Sequence, residues 1–169
     1  NYMWFDCEAN YATLSHPDSI QFYLAKCKEL GFETIADSVG NVLIKKPATP
    51  GYENRKTIIL QSHMDMVCDK RPDVEHDFTK DPIKTWVDGE WLKAQGTTLG
   101  ADNGVGVAAA MAVLADNTLK HGPINCLFTI DEETGLTGAE ALSSELLQGD
   151  ILVNLDSEDE GEMFIGCAG

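Results

Sequence analysis

The stretch from Thr57 to Asp65 constrains the fold most, because an uncharged strand with an apolar centre ends there in a histidine and a carboxylate. The run from Thr57 to Ser62 carries no charge, which is typical of a sheet strand covered on both faces. Residues two apart in an extended chain point the same way, so Asp65 can accept a hydrogen bond from one ring nitrogen of His63. Such a bond leaves the other ring nitrogen as a better metal ligand. Taken alone, a His-x-Asp pair is more often an ordinary surface hydrogen bond.

Predicted helices and strands alternate along the chain. Helices are predicted over residues 17–30, Asn103–Ala115 and Gly138–Leu147. Strands are predicted over Asn41–Lys46, Asn125–Ile130, Ile151–Leu155 and Met163–Ile165. A hairpin is predicted for Ile83–Val87 and Trp91–Ala94, with its turn at Asp88-Gly89. This order predicts an α/β domain with a mixed, partly parallel sheet flanked by helices.

The composition excludes several classes of protein. The 169 residues hold 12 Lys+Arg against 28 Asp+Glu, and a net charge of −16 disfavours binding to nucleic acid or to an anionic membrane. No apolar run is long enough to span a bilayer, and no signal peptide is recognisable. The five cysteines form no C-x-x-C pair, so a reducing, cytoplasmic location is expected, without a disulfide framework or a cysteine zinc finger.

The other candidate acids also lie at the ends of predicted elements. Glu132 and Glu133 follow one strand, Asp156 follows another, and Asp102 precedes the Ala-rich helix. Ligands collect beyond the carboxyl ends of strands in open α/β sheets, so these acids predict one pocket with His63. Carboxylates buried together would repel one another, and two divalent cations would remove that conflict. Imidazole and carboxylate ligands suit Zn²⁺, Mn²⁺ or Co²⁺.

Each of these acids also has an ordinary interpretation. Asp102 could cap the helix that follows it, the adjacent glutamates could simply face water, and Asp156 could be a turn residue. A second motif, Gly104 to Ala109, matches the dinucleotide pattern G-x-G-x-x-A, but loop residues rather than a strand precede it. Its glycines are better explained by close packing of the helix on the sheet. The histidines outside the motif are expected to be surface residues: His16, His76 and His121.

Four segments together resemble the M20 metallopeptidases, most closely the cytosolic Xaa-His dipeptidase branch (aminoacyl-histidine dipeptidase, also called beta-alanyl-histidine dipeptidase or carnosinase). They read Gln-Ser-His-Met-Asp-Met-Val at 61–67, Gly-Thr-Thr-Leu-Gly-Ala-Asp-Asn-Gly at 96–104, Glu-Glu-Thr-Gly at 132–135 and Asn-Leu-Asp-Ser-Glu-Asp-Glu-Gly-Glu at 154–162. The resemblance runs from about Ser15 to Gly169, and residues 1 to about 14 depart from the family pattern. It implies a zinc-exopeptidase-like catalytic domain and hydrolysis of a small peptide.

The resemblance also implies a role for each candidate residue. His63 and Asp156 would each bind one of two zinc ions, Asp102 would bridge the ions, and Glu133 would bind the second zinc. Asp65 would orient His63, and Glu132 would be the general base. The peptide bond after the bridging Asp102 is often cis in the family.

Part of the family pattern is missing from these 169 residues. The family uses a second histidine ligand far downstream, and a lid domain that assists dimerisation would begin after Gly169. The chain begins at Asn1 rather than Met and ends after Cys-Ala-Gly. We therefore expect residues 1–169 to be the N-terminal part of a catalytic domain, inactive as an isolated fragment. Tripeptidase, N-acyl-amino-acid deacylase and inactive binding module remain as alternatives to a dipeptidase.

Overall fold

Five strands form one sheet in the part of the chain that the computed structural model describes, which is residues 25, 27–157 and 161–166. In chain order they are β1 (Glu33–Ala36), β2 (Val42–Lys46), β3 (Ile58–His63), β6 (Ile124–Thr129) and β7 (Ile151–Asn154), while β4 (Thr85–Asp88) and β5 (Trp91–Ala94) form a separate hairpin. The order across the sheet is β1-β2-β6-β3-β7. The β1–β2 and β2–β6 pairs are antiparallel, and the β6–β3 and β3–β7 pairs are parallel. The predicted mixed, partly parallel sheet is confirmed.

The three parallel strands lie side by side, with β3 between β6 and β7. All six residues of β6 are buried, as expected for a strand covered on both faces. His63 is the last residue of β3 and pairs with Thr129 at the end of β6. The carboxyl ends of β6, β3 and β7 therefore meet at one edge of the sheet, with His63 in the middle strand.

Helix α1 (Ala101–Ala115) covers one face of the sheet. The core on this side joins the helix to the strands and contains Cys27, Val42, Ile44, Met64, Val107, Ala110, Leu114, Ile124, Cys126 and Phe128. Gly106 is buried, and a Cβ there would overlap the side chain of Asn103 and come within 2.9 Å of Ser62 Oγ. The prediction that glycine permits close packing is therefore confirmed for Gly106. It is wrong for Gly104, where a Cβ would meet nothing within 4 Å.

A second core lies on the opposite face of the sheet, where Leu43, Ile59 and Leu127 pack against Leu146 and Leu142. The predicted helix over Gly138–Leu147 is only partly present. Two short helices, α2 (Glu132–Gly135) and α3 (Thr137–Glu140), are followed by turns through residue 147. Ser143 and Ser144 explain the early end of the helix, because serine favours turns over helix interiors. Within the predicted span, only residues 138–140 are helical.

Several other sequence expectations need correction. Strand β1 was not predicted, and residues 163–165 form no strand and are exposed. A strand is stable only where it finds a partner, and β7 pairs with β3 alone in the described residues. The predicted helix over 17–30 lies mostly outside the described residues, although 25 and 27–29 are helical.

The expectation that His76 is a surface residue is wrong. His76 is 9% exposed and its ring packs edge-to-face against Phe78, with centroids 4.6 Å apart. His121 is half-buried, and His16 lies outside the described residues. Among the cysteines that the structure describes, Cys27 and Cys126 are buried free thiols. Among the described helices, none combines the length and apolar character needed to cross a bilayer.

Candidate metal centre

His63 is at the centre of the candidate site and is 1% exposed. Its Nδ1 lies 3.1 Å from the backbone oxygen of Asp65 and 3.4 Å from Asp65 Oδ1. Both neighbours are hydrogen-bond acceptors, so Nδ1 carries a proton and donates to them. Nε2 then faces the opposite side, where Asp102 Oδ1 lies 3.1 Å away and Asp156 Oδ1 lies 3.7 Å away. This is the orientation that the His63-x-Asp65 spacing predicted, with the main-chain carbonyl as an additional partner.

Asp65 also holds the start of helix α2. Its two carboxylate oxygens accept the backbone N–H groups of Glu132 and Glu133, each at 3.0 Å. The chain turns into α2 at Asp131, which has φ of 57° and accepts hydrogen bonds from the hydroxyls of Thr134 and Thr137. One buried carboxylate therefore fixes both His63 and the segment that carries the two glutamates. Glu132 and Glu133 form the first turn of this helix.

Asp102 and Asp156 approach His63 from α1 and from the end of β7. Asp102 precedes the regular part of the helix, with ψ of 113°, and its peptide bond with Asn103 is cis, as the resemblance implied. This helix start has no side-chain cap, so the interpretation of Asp102 as a capping residue is not supported. Asn103 Nδ2 donates to Asp156 Oδ1 at 2.9 Å and to the backbone oxygen of Leu155 at 3.1 Å.

The electrostatics of the site follow from this crowding of acids around one imidazole. Burial by itself lowers the pKa of His63, but hydrogen bonds with Asp65 and Asp102 and the charge of Asp156 outweigh it and raise the pKa to about 9. Burial raises the pKa of Asp65, but its bonds with His63 and with two backbone N–H groups lower it overall. Burial raises the pKa of Glu132 and of Asp156, and neighbouring carboxylates raise both further. The site therefore carries more negative charge than its own residues neutralise.

Burial divides the candidate residues into two sets. His63 and Asp65 are buried, whereas the side chain of Asp102 is 69% exposed and that of Asp156 is 29% exposed. Glu132 and Glu133 are half-buried. The expectation that the acids are buried together is therefore wrong, because they lie beyond the strand ends, where the described residues leave one side open to solvent. Repulsion among them remains, as the raised pKa of Asp156 indicates.

Within the described ranges, two overlapping groups of side chains can hold metal ions. His63, Asp102 and Asp156 place one ligand atom each within 4.8 Å of one another, and so do His63, Glu132 and Glu133. One imidazole and several carboxylates form a donor set that suits zinc. Divalent cations would also balance the unneutralised charge described above. The structure thus brings the predicted metal-binding residues and Glu132 together around His63.

Three amide side chains near the site were not singled out from the sequence. Asn103 contacts Asp156 as described above, and Asn154 Oδ1 accepts the backbone N–H of Asp156 at 3.0 Å. Asn41 is fully buried and joins three segments, since its Nδ2 donates to Asp37 and to the Gly138 carbonyl while its Oδ1 accepts from Ile130 N. Asn103 could have been identified from the sequence, because it is a polar residue at the start of the largely apolar helix α1. Asn41 gave no comparable signal, because it precedes its strand.

Comparisons with known proteins agree with this geometry. Residues 59–167 match the profile of the peptidase family M20/M25/M40. The chain is 54% identical to the cytosol non-specific dipeptidase of Escherichia coli (strain K12), over 99% of the chain and 35% of that protein. Its fold superposes on the crystal structure of aminoacylhistidine dipeptidase from Vibrio alginolyticus with a TM-score of 0.92 and 51% identity, covering 98% of the chain and 34% of that protein.

A more distant structure shares the same core. A tripeptidase from Staphylococcus aureus gives a TM-score of 0.69 at 26% identity, covering 87% of this chain and 39% of that one. The chain spans about a third of the length of the dipeptidases that it matches. The family profile covers more than half of the chain, and it includes every residue of the candidate centre. By sequence and by fold, the chain belongs to the peptidase family M20/M25/M40.

Proposed function

We propose that residues 1–169 form the N-terminal part of the catalytic domain of a di-zinc dipeptidase that hydrolyses Xaa-His dipeptides of the β-Ala-His type. The observation that carries the proposal is the convergence of His63, three carboxylates and Glu132 at the carboxyl ends of adjacent strands. The similarity to two proteins named as dipeptidases supports this reaction over others in the family. The lid domain and the remaining histidine ligand would lie in further residues of the complete protein.

The proposed metal ligands are His63, Asp102, Glu133 and Asp156, with Asp102 shared by the two ions. Bound zinc would polarise the scissile carbonyl and lower the pKa of the attacking water. Mn²⁺ or Co²⁺ could occupy the same ligands.

Glu132 is the proposed general base, which takes a proton from the attacking water and passes it to the leaving amine. Its raised pKa supports this role, because a base that must later act as an acid functions best with a pKa near the working pH. Asp65 would keep Nδ1 of His63 protonated and, through the backbone of Glu132 and Glu133, would fix the position of the base relative to the metal ligands. The orientation of His63 and the position of Glu132 thus both depend on the carboxylate of Asp65.

The metal and the substrate can be tested together on the full-length protein. Mass spectrometry should find zinc, and hydrolysis of β-Ala-His should exceed that of tripeptides and N-acyl-amino acids. Preferred hydrolysis of tripeptides or acyl-amino acids would replace the dipeptidase assignment with that activity. Absence of metal together with absence of hydrolysis after addition of Zn²⁺ or Mn²⁺ would favour an inactive binding module.

Substitution of the base separates chemistry from metal binding. Glu132→Ala should retain metal and lower kcat by about 10²–10⁴-fold, the usual contribution of a general base. Glu140→Ala is the matched control, because Glu140 is an exposed glutamate on α3, and it should leave kcat unchanged. Wild-type turnover by Glu132→Ala would exclude Glu132 as the base.

A broader dipeptide specificity is the main alternative, because the E. coli relative is named a non-specific dipeptidase. We further propose a cytoplasmic location, supported by that relative's name and by the scattered cysteines of the sequence, which form no C-x-x-C pair. The site would bind small peptides, and the protein would not bind nucleic acid or membranes. The full-length protein would form a homodimer. Light scattering on the purified full-length protein tests the dimer.

A further inference from the structure

We infer that Asn103 is a positioning residue for Asp156, which it holds so that one carboxylate oxygen faces His63 and Asp102. This inference rests on the proposed function, because Asp156 is one of the proposed zinc ligands. Asn103 itself need not contact metal or substrate. Its contribution would be to select one rotation of a carboxylate that is otherwise partly exposed.

The contacts of the Asn103 amide determine which of its ends faces Asp156. Nδ2 lies 2.9 Å from Asp156 Oδ1 and 3.1 Å from the backbone oxygen of Leu155. Both neighbours are acceptors, so a flipped amide would place an oxygen against two oxygens. The amide nitrogen must therefore face Asp156 Oδ1, which is also the oxygen that lies 3.7 Å from His63 Nε2.

The oxygen end of the Asn103 amide lies next to Gly106 of helix α1, which leaves room for it. Asn103 is 5% exposed, and its Oδ1 is buried without a hydrogen-bond partner among the described residues. A Cβ at Gly106 would overlap this oxygen and come within 3.0 Å of Asn103 Cγ. Because Gly106 has no side chain, the amide can reach Asp156. A buried polar atom left without a partner costs free energy, so its retention indicates that the contact made by Nδ2 matters.

The backbone of Asp156 is held separately. Its N–H donates to Asn154 Oδ1 at 3.0 Å, and Asn154 Nδ2 donates to Gln61 Oε1 at 2.6 Å on the neighbouring strand β3. These bonds fix where residue 156 lies but leave the rotation of its carboxylate free. The hydrogen bond from Asn103 restricts that rotation.

The test compares Asn103→Leu with Asn125→Leu in the full-length protein. Asn125 is the matched control, since it is 7% exposed and its Nδ2 donates to a backbone carbonyl, that of Gln148, at 3.0 Å. It lies on β6 away from the centre. Cobalt is the probe, because its visible absorption reports the ligands around it and its affinity can be measured without substrate. Asn103→Asp is the second variant, which keeps the shape and replaces the donor with an acceptor.

We expect Asn103→Leu and Asn103→Asp to weaken Co²⁺ binding by about 10–100-fold, as loss of a group that orients a ligand usually does. Both should also change the visible spectrum of bound Co²⁺. The control Asn125→Leu should stay within about twofold of wild type, since distant sites act independently. Gly106→Ala, which crowds the amide without removing the donor, should weaken binding less than Asn103→Leu.

Each other outcome is informative. Wild-type affinity and spectrum in both Asn103 variants would overturn the inference, and so would loss of folding in both while Asn125→Leu folds, since Asn103 would then be structural. A wild-type protein that binds Co²⁺ but hydrolyses no peptide would overturn the proposed function. The Co²⁺ affinities of the Asn103 variants would still decide whether Asn103 positions Asp156. A wild-type protein that binds no Co²⁺ would overturn both.

Discussion

The candidate centre has an inner half and an outer half that are held in different ways. The inner half, His63 and Asp65, is 1% and 7% exposed and is tied to β3 and to the start of α2. The outer half, Asp102 and Asp156, reaches the same imidazole from α1 and from the edge strand β7, with side chains 69% and 29% exposed. The inner half is therefore part of the folded core. The outer half is a set of carboxylates whose negative charge a bound cation would neutralise. Changes to the inner half should affect folding and function together, whereas changes to the outer half should affect metal binding much more than the overall stability.

The largest effect on the inner half is expected from Asp65→Asn. An amide cannot accept hydrogen bonds at both ends, so one backbone N–H of α2 and the orientation of His63 are lost. We expect the free energy of unfolding to fall by about 2–4 kcal/mol, the range for breaking a buried charged network, in urea titrations with EDTA present. Metal content should fall in parallel. An unchanged unfolding midpoint would show that the inner half is not part of the folding core.

The matched change in the outer half is Asp156→Asn. Burial, with the neighbouring Asp102 carboxylate, raises the pKa of Asp156, so neutralising it removes a desolvation cost and relieves repulsion in the metal-free protein. We expect equal or slightly greater stability in EDTA, together with at least about tenfold weaker Co²⁺ binding after loss of a ligand. A loss of stability as large as that of Asp65→Asn would remove the distinction between the halves.

A third prediction concerns the backbone that supports α2 and α3. A Cβ at Gly138 would overlap the Ile130 carbonyl and approach Asn41 Oδ1 to 2.7 Å, and neither can move freely. Gly138→Ala should destabilise the protein by about 2–3 kcal/mol, as overpacking does. Gly104→Ala is the control, since its Cβ meets nothing and the helix should gain about 0.5–1 kcal/mol. Thermal unfolding distinguishes the two, and equal melting temperatures would contradict the packing argument.

The fourth prediction is the pH dependence of the metal-free protein. Acids around His63 raise its folded-state pKa to about 9, above the value near 6.5 expected in the unfolded chain. The stabilisation is fully present below about pH 6.5 and is lost as pH rises through about 9, by roughly 3 kcal/mol. Asp102→Asn removes one partner and should flatten this profile in urea unfolding between pH 6 and 10. A profile as steep as that of the wild type would assign the pH dependence to another group.

The smallest effect is expected at Lys46, which supports the helix that carries Asp102. Its Nζ donates to the carbonyls of Val113 and Asp116 at the C-terminal end of α1, at 2.8 Å and 2.6 Å, and the residue is 6% exposed. Lys46→Met should cost about 1–2 kcal/mol. Lys45→Met removes only an exposed pair with Glu33 and should cost less than about 0.5 kcal/mol. Equal costs by thermal unfolding would mean that capping of α1 contributes little.

Local patterns were sufficient for much of the fold. The apolar run before His63, the Ala-rich stretch of α1 and the Asp88-Gly89 turn each predict an element that the structure contains. Elements whose length depends on distant contacts were predicted poorly. The helix expected over 138–147 breaks up where Ser143 and Ser144 favour turns, and residues 163–165 have no described strand to pair with.

For the candidate site, chain position predicted which residues meet but not how they are held. The carboxyl ends of parallel strands share one edge, so His63, Glu132, Glu133 and Asp156 had to converge once the sheet formed. The bonds from Asp65 to α2 join residues 67 and 68 positions apart, and the bond from Asn103 to Asp156 spans 53. No local pattern encodes such pairings, because they depend on the register of β3 against β6 and on the approach of α1.

Local patterns were enough to predict the residue types of the site, their positions at the ends of elements and the charge imbalance that favours cations. The burial of Asp65 beneath α2, the exposure of Asp102 and the contact of Asn103 with Asp156 arise only when the chain is folded. The physical reason is the range of the forces involved. Apolar periodicity and turn chemistry act over a few residues, whereas burial and hydrogen-bond partners are set only when distant segments pack together.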